Sequence, residues 1–437
     1  MSYLQVLRYL NSFVNCEKNT NYSYKEILKL ERIQNFLCVI GNPQESLRVI
    51  HIAGSKGKGS TCAFIAYILK EAGFRAGLYT SPHLNDFRER IRILEPPVYK
   101  RLRRSGGDFE GMISQKALSS LVKELKPLIN KYNRCSKYGP LTFFEVYTAL
   151  AFLYFKRKRV DFVVLETGMG GRLDATNTAG SLVQVITPIS YEHVQKLGPT
   201  LAKIAAEKAG IIKNKGAIVI SAPQGKEAQR VIKNKCKEVG AKLRITGNDI
   251  KTLKLKMNLI GRHQLINAAC AIGAIEALRS YGVKISAGAI SRGIKNTRWP
   301  GRCEVIKKSP LIVLDGAQNS ASARVLKSAI EDNFSAKGGS ASGGKYKRLI
   351  LVLGISLDKD ISGICGTLAP LADEVILTRA ATLRATDPKK LSVYFKRNLY
   401  LTQSVKEAKL LSLSLAHKED LILVTGSLFV VGEFRNA

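Results

Sequence analysis

Residues 51–60 read HIAGSKGKGS, and TCAFIAYILKEAG follows directly. Val49, Ile50 and Ile52 form an apolar β-branched run that ends in a turn rich in glycine and lysine. From Ser60 onward Phe64, Ile65, Ile68, Leu69 and Ala72 recur at helical spacing. The order is strand, glycine loop, helix. Gly54, Gly57 and Gly59 let the backbone aim its N–H groups at one point, where the helix N-terminus adds its dipole. Lys58 supplies a point charge and Ser60 a hydroxyl suited to Mg2+. The stretch reads as a phosphate cradle, although Gly59 separates Lys58 from Ser60 and so departs from standard P-loop spacing.

On the N-terminal side, residues 1–46 read as amphipathic helix closed by Pro43. On the other side, 75–79 read as a strand that Pro82 stops, which leaves Ser81, Pro82 and His83 on a loop at its end. RERIRIL (88–94) alternates basic and apolar residues like an edge strand, and 95–112 read as a loop with a basic cluster. Helices are expected over 115–133 and 142–157, the second apolar on most faces and therefore buried. VDFVVL (160–165) is a strand that ends in Glu166 and a glycine-rich loop; 182–189 is another, ending in Tyr191-Glu192-His193. A helix over 200–212 carries Glu207 and Lys208, and 217–221 is a further strand. This alternation predicts a doubly wound, mostly parallel sheet. Such sheets bind ligands beyond the carboxyl ends of their strands. The cradle, Glu166 and His193 follow three different strands, so all three are expected to face one crevice. Mg2+ between Ser60 and Glu166 suits nucleotide chemistry. By spacing alone His193 is as readily a structural histidine as a ligand, because Mg2+ prefers oxygen.

NLIGRHQLINAACAIGAIEAL (258–278) becomes helical at about Gln264, with His263 and Asn267 four apart on one face. Asn267 reads equally well as a purine contact or as the polar start of a helix. Trp299-Pro300-Gly301-Arg302 breaks the pattern, which places a domain boundary at about residue 297. Strands then follow at 311–314, 348–353, 374–378 and 421–425. The first ends in Asp315-Gly316-Ala317-Gln318-Asn319, with Ser320 as a helix cap, and a Gly/Ser loop covers 335–347. The expected fold class is α/β. A large P-loop-type, doubly wound, mostly parallel sheet domain with N-terminal helices spans 1–297, and a smaller Rossmann-like α/β domain spans 298–437. A nucleotide is expected between them.

With 437 residues, 45% hydrophobic and 24% charged, the chain is globular and not disordered. It shows no signal peptide and no apolar run of membrane-spanning length, and its eight cysteines lack zinc-type spacing. A cytoplasmic protein is expected. The net charge of +35 suits anionic substrates or nucleic acid, but basic residues are spread along the whole chain without a nucleic-acid signature. Solvated lysine faces account for it as well.

Taken together, HIAGSKGKGS, LYTSPHL, RERIRI, TFFEVYTALAF, LETGMGGRLDATN, LGPTLAKIAAEKAGIIK, GRHQLINA, RWPGRCEVI, LDGAQN, LDKD and TGSLFVVGE resemble the folylpolyglutamate synthase/dihydrofolate synthase family of the Mur-ligase superfamily. They occur in the family's order from about residue 47 to 433. The resemblance implies an ATP-dependent amide ligase that adds L-glutamate to a folate or dihydropteroate carboxylate through an acyl phosphate. It implies phosphate contacts at Gly57, Lys58, Gly59 and Ser60, and nucleotide contacts at Asn267, Arg302 and Asp315. It further implies Mg2+ ligands at Ser60, Glu166 and His193, and a pterin-side loop at Ser81, Pro82 and His83. Lys58, Lys208 and His193 are the implied catalytic residues, with Lys208 carbamylated. The partners implied are small molecules acting on a monomer, without membrane or nucleic acid. Another Mur-type ligase, or a basic nucleotide- or RNA-binding protein without ligase activity, are the alternatives. Two positions depart from the family pattern: Glu192 stands where Asp is usual before the metal-binding histidine, and Gln318 replaces the His of Asp-Gly-Ala-His-Asn.

Overall fold

Val49–Ala53 forms β1, with none of its five residues exposed. A strand covered on both faces needs an apolar run, not alternation, and VIHIA supplies one. Its partners are β2 (Ala76–Tyr79), β3 (Ile91–Leu94), β4 (Phe162–Glu166), β5 (Ser181–Ile186), β6 (Ile218–Ser221) and β7 (Lys242–Ile245). The seven-stranded order is β3-β2-β4-β1-β5-β6-β7. All neighbours are parallel except β2 and β3. From β1 the chain winds first toward β2 and β4, then back toward β5, β6 and β7, so the switch point lies at β1 and β5. Ligands are expected outside the carboxyl ends of those strands.

The computed structural model describes residues 1–15, 17, 28–97, 109–247, 256–334, 346–396 and 398–437. The basic cluster at 100–104 and most of the 335–347 loop lie outside the described residues. The described chain divides into two compact units. One comprises Met1–His83, Phe87–Met257 and Leu265–Thr297; the other comprises Leu84–Asp86, Asn258–Gln264 and Arg298–Ala437.

In the first unit the helix Lys58–Glu71 is buried from Ser60 to Lys70 and packs on β1, β2 and β4. The helix Phe143–Arg157 starts with a capping box between Thr142 and Glu145. Glu145 also receives the Arg32 guanidinium at 2.9 Å, both side chains covered, which ties the N-terminal helix Leu30–Val39 to the core. RERIRIL is shorter as a strand than its alternation implies: Phe87–Arg90 is a 3-10 turn and only Ile91–Leu94 is extended. Arg90 and Arg92 are buried, not solvated. Arg90 pairs with Glu17 and lies over Phe143, and Arg92 donates to the Glu110 carbonyl at 2.7 Å. A buried guanidinium persists only with such partners.

The second unit has its own six-stranded sheet, β8 (Glu304–Lys308), β9 (Leu311–Leu314), β10 (Leu349–Leu353), β11 (Glu374–Leu377), β12 (Leu399–Leu401) and β13 (Leu421–Thr425). The order is β12-β11-β10-β13-β9-β8, parallel except between β8 and β9. Helix Ser320–Phe334 follows β9. Its cap is Asn319, whose side chain accepts from the Ser322 N–H at 2.9 Å, and not Ser320, whose hydroxyl goes to Asp360. Among the described residues no helix is long and apolar enough to cross a membrane.

Candidate active site

β4, β1 and β5 lie side by side, so Glu166, the glycine loop and the 187–193 segment emerge together at their carboxyl ends. Backbone bonds lock the three exits. Thr167 N–H donates to Ile52 O at 2.9 Å and Thr187 N–H to Ala53 O at 2.8 Å, while Ser55 and Lys56 N–H both reach Pro188 O. Gly54 is required there: a Cβ would fall 1.9 Å from Thr187 Oγ1. Gly57 is required twice over, because it caps the helix at φ +82° and a Cβ would meet Asn267 Oδ1 at 2.1 Å. Asn267 thus sits against the cradle. His263, four residues earlier, packs with the second unit instead.

Two of the predicted lysines meet on one atom. Lys58 Nζ donates to Gly54 O at 3.1 Å and Lys208 Nζ donates to the same oxygen at 2.8 Å. Lys208 also donates to Glu192 Oε1 at 2.6 Å. Burial by itself would raise the Glu192 carboxyl, but Lys208, Lys58, Lys56 and His193 pull it down to about 2. Burial, with Lys58 and Lys56 nearby, lowers the Lys208 amine to about 8 against the pull of Glu192. A concentration of cations around one loop is what an incoming polyphosphate needs.

Ser60 is buried on the first helical turn, Glu166 is buried, and His193 is exposed with φ +46° at the start of the short helix Val194–Leu197. Glu166 Oε2 accepts from Ser81 N–H at 3.1 Å, so the loop after β2 joins the predicted metal residue. His83 accepts from Arg90 Nε at 2.8 Å through Nδ1, which leaves its remaining proton on Nε2. In the second unit both Asp315 oxygens accept backbone N–H groups, from Cys303 and Ala317 at 2.8 Å each. Burial raises that carboxyl and Arg302 opposes the shift. A cleft of about 390 Å³ in this unit, lined by Arg262, His263, Arg324 and Asp332, holds none of the predicted residues. Its Arg262 is spent on Asp332 at 3.1 Å.

Ser60 and Glu166 carry the donor types that a magnesium ion takes. A serine hydroxyl and a carboxylate are hard oxygen ligands, and Mg2+ usually takes few protein ligands beside water and phosphate. No group of three or more His, Cys, Asp or Glu that could hold a metal occurs among the described residues. The buried Thr61, Thr167 and Ser190 hydroxyls, on the three segments that meet here, lack a partner among the described residues. They suit a polar, hydrated occupant.

Residues 301–428 match the family model for the Mur ligase, glutamate ligase domain. The dihydrofolate synthase/folylpolyglutamate synthase of Bacillus subtilis is 31% identical, over 93% of this chain and 94% of that protein. The chain belongs to the folylpolyglutamate synthase/dihydrofolate synthase family. A probable bifunctional folylpolyglutamate synthase/dihydropteroate synthase of Haloferax volcanii is 35% identical, and the chain spans about half of it, 48%. Among solved structures, Mycobacterium tuberculosis folylpolyglutamate synthase complexed with ADP and AMPPCP superposes with a TM-score of 0.84 at 28% identity, covering 99% of this chain and 97% of that one. Escherichia coli FolC in complex with DHPP and ADP gives 0.82 at 27% identity, covering 100% and 97%.

Against the family pattern the two departures behave differently. Glu192 has a partner, Lys208, which its sequence position could not announce across sixteen residues of turn and helix. Gln318 sits in a loop held by backbone: its N–H and that of Asn319 both donate to Ser322 Oγ at 3.1 Å. The glutamine side chain is not needed to shape that turn. Sequence reasoning also passes over Asp174, Thr176 and His51, all buried beside the site. GGRLDATN marks the first two as a motif without saying what they do.

Proposed function

We propose that this chain is an ATP-dependent ligase that joins L-glutamate to a folate or dihydropteroate carboxylate. What carries the reading is the meeting of Lys58, Lys208 and Glu192 at the cradle, directly beyond β1, β4 and β5, in a chain of this family. An oxygen of the acceptor carboxylate attacks the γ-phosphorus, the bond to ADP breaks, and an acyl phosphate forms. The neutral amine of glutamate then attacks the acyl carbon; phosphate leaves, and the nitrogen loses a proton. The protein's task is to hold the reactants in line and to offset the growing negative charge.

Lys58 and the N–H groups at Gly57, Gly59 and Ser60 are the proposed phosphate contacts, with Asn267, Arg302 and Asp315 contacting the nucleotide. Ser60, Glu166 and His193 would hold Mg2+, which supplies charge neutralisation on the phosphates when bound. Ser81, Pro82 and His83 form the proposed pterin side, where His83 offers an Nε2–H donor. Carbamylation of Lys208 belongs to the same proposal. The amine is brought to about 8, which favours the neutral nucleophile, but Glu192 must turn away because a carbamate beside it would set anion against anion. A cytoplasmic monomer with small-molecule partners completes the reading.

The test is incubation of purified protein with ATP, Mg2+, L-glutamate and either dihydropteroate or tetrahydrofolate. ADP release with a glutamylated product is expected with at least one acceptor. ATP left intact with both would sink the proposal, and the acceptor used separates the two activities.

A further inference from the structure

Beneath the cradle runs a buried chain of hydrogen bonds that the mechanism above does not use. His51, on β1 and fully buried, meets Thr176 Oγ1 through Nε2 at 2.8 Å. Thr176 Oγ1 donates to Asp174 Oδ1 at 2.6 Å, and its N–H donates to the same oxygen at 3.1 Å. Asp174 Oδ2 accepts the N–H groups of Gly168 and Met169 at 2.8 and 3.0 Å. Four donors therefore converge on one buried carboxylate; burial still pushes it above the usual carboxylate range, against the pull of those donors.

The loop so clamped lies between two predicted site residues. It follows Glu166 by one residue. At its far end Gly171 lies against the backbone of the other: a Cβ there would fall 2.9 Å from both Glu207 O and Lys208 O. Arg172 N–H donates to Glu207 O at 2.8 Å. Because Asp174 already occupies the N–H groups of Gly168 and Met169, this glycine loop is a spacer and not a second anion cradle.

We propose that Asp174, Thr176 and His51 are positioning residues that set the separation of Glu166 and Lys208. The proposal rests on the ligase reading for what those two side chains do, but not for the geometry. Proton order fixes the chain's sense. Thr176 has one hydroxyl proton and gives it to Asp174, so its lone pair must face an Nε2–H on His51. The Nδ1 of His51 is then a buried acceptor without a partner among the described residues. Burial, and then Lys213, push its imidazole down to about 3, which keeps the ring neutral.

Two measurements decide the matter without any ligase assay. In nitrogen-15 NMR of the full chain, His51 is expected as the neutral Nε2–H tautomer, unchanged between about pH 8 and 5. An Nδ1–H tautomer or an imidazolium overturns the chain. Calorimetric ADP affinity is measured with and without Mg2+ in wild type, Thr176→Val and Thr176→Ser. Thr176→Val is expected to keep the Mg2+-free affinity within about two-fold and to lose roughly ten-fold of the Mg2+-dependent gain, the scale of one lost hydrogen bond. Thr176→Ser is expected to restore that gain. An unchanged gain in Thr176→Val, or an equal loss in both variants, refutes the positioning role. If Thr176→Val does not fold, His51→Leu is read by the same Mg2+-dependent gain, and an unchanged gain there refutes the positioning role. Failure of the ligase assay with the expected tautomer and Mg2+ response would strike the earlier reading alone.

Discussion

Gly57→Ala is the sharpest perturbation the cradle allows, because two separate costs fall on one methyl group. The first is backbone. Gly57 sits at φ +82°, where an L side chain costs roughly 1–2 kcal/mol. The second is steric. The new Cβ would lie 2.1 Å from Asn267 Oδ1, so the amide must move by more than an ångström to reach ordinary contact. Asn267 is 2% exposed, and driving a buried amide off its place costs about 1–3 kcal/mol more. Gly41 separates the terms: it has nearly the same φ, +79°, and nothing lies within 4 Å of the point an alanine methyl would occupy. Gly41→Ala should therefore lose only the backbone term, a fall in melting temperature of roughly 2–8 °C if each kcal/mol is worth about 2–4 °C. Gly57→Ala should fall further and weaken ADP binding by about five- to 150-fold, the equivalent of 1–3 kcal/mol. Adding Asn267→Ala to Gly57→Ala should recover part of the stability but not the affinity. The assays are thermal unfolding and calorimetric titration with ADP. Equal stability losses at Gly41 and Gly57 would refute the reasoning, as would no recovery of stability in the double variant.

Lys58→Ala should fold normally, since the bond it loses to Gly54 O is a partly buried one, yet slow turnover by about 10²–10³ in a coupled ADP-release assay; wild-type rates would remove it from the phosphate site. Glu192→Gln leaves Lys208 buried beside an uncharged partner and should cost about 3–5 kcal/mol in urea unfolding at neutral pH, while removing the anion that opposes a carbamate. Intact-protein mass spectrometry in bicarbonate should then show more CO2 adduct in Glu192→Gln than in wild type, and less adduct would contradict that opposition. His51 supplies a pH signature. Its folded value of about 3 lies below the ordinary 6.5, so the unfolded chain binds the extra proton between them. Its contribution is whole above about 6.5 and falls by about 1.4 kcal/mol per pH unit as pH drops toward 3. Urea titrations at several pH values should show a shallower acid loss in His51→Gln than in wild type, and parallel slopes would count against burial of a neutral ring.

What can be read from the sequence follows from what a linear pattern can encode. The β1–loop–helix unit is legible because glycines at 54 and 57 answer local backbone and contact demands, and because VIHIA and the helix after it have distinct periods. Buried parallel strands such as β4 and β10 are equally plain as apolar runs. The edges are not. β7 (KLRI) and β8 (EVIKK) carry charge and expose part of their length, as edge strands do, and so lack the run that marks a strand. Ser320 reads as a cap from its residue type, but Asn319, one residue earlier, competes for the same role with the better geometry.

The site divides along the same line, and Glu192 shows why. Its position before a histidine is visible in the sequence, and a glutamate for an aspartate there looks like a small displacement of a carboxylate. In the folded chain that carboxylate ends 2.6 Å from the Lys208 ammonium, which in turn shares the Gly54 carbonyl with Lys58. Lys208 and Gly54 are 154 residues apart, and no spacing rule connects them. The extra methylene is therefore a matter of reach, and reach is defined only once β1 and β5 are neighbours. The same adjacency turns His51 and the LDAT segment into one hydrogen-bonded strut. Residue types announce the chemistry of this crevice; the strand order decides which of them act on one another.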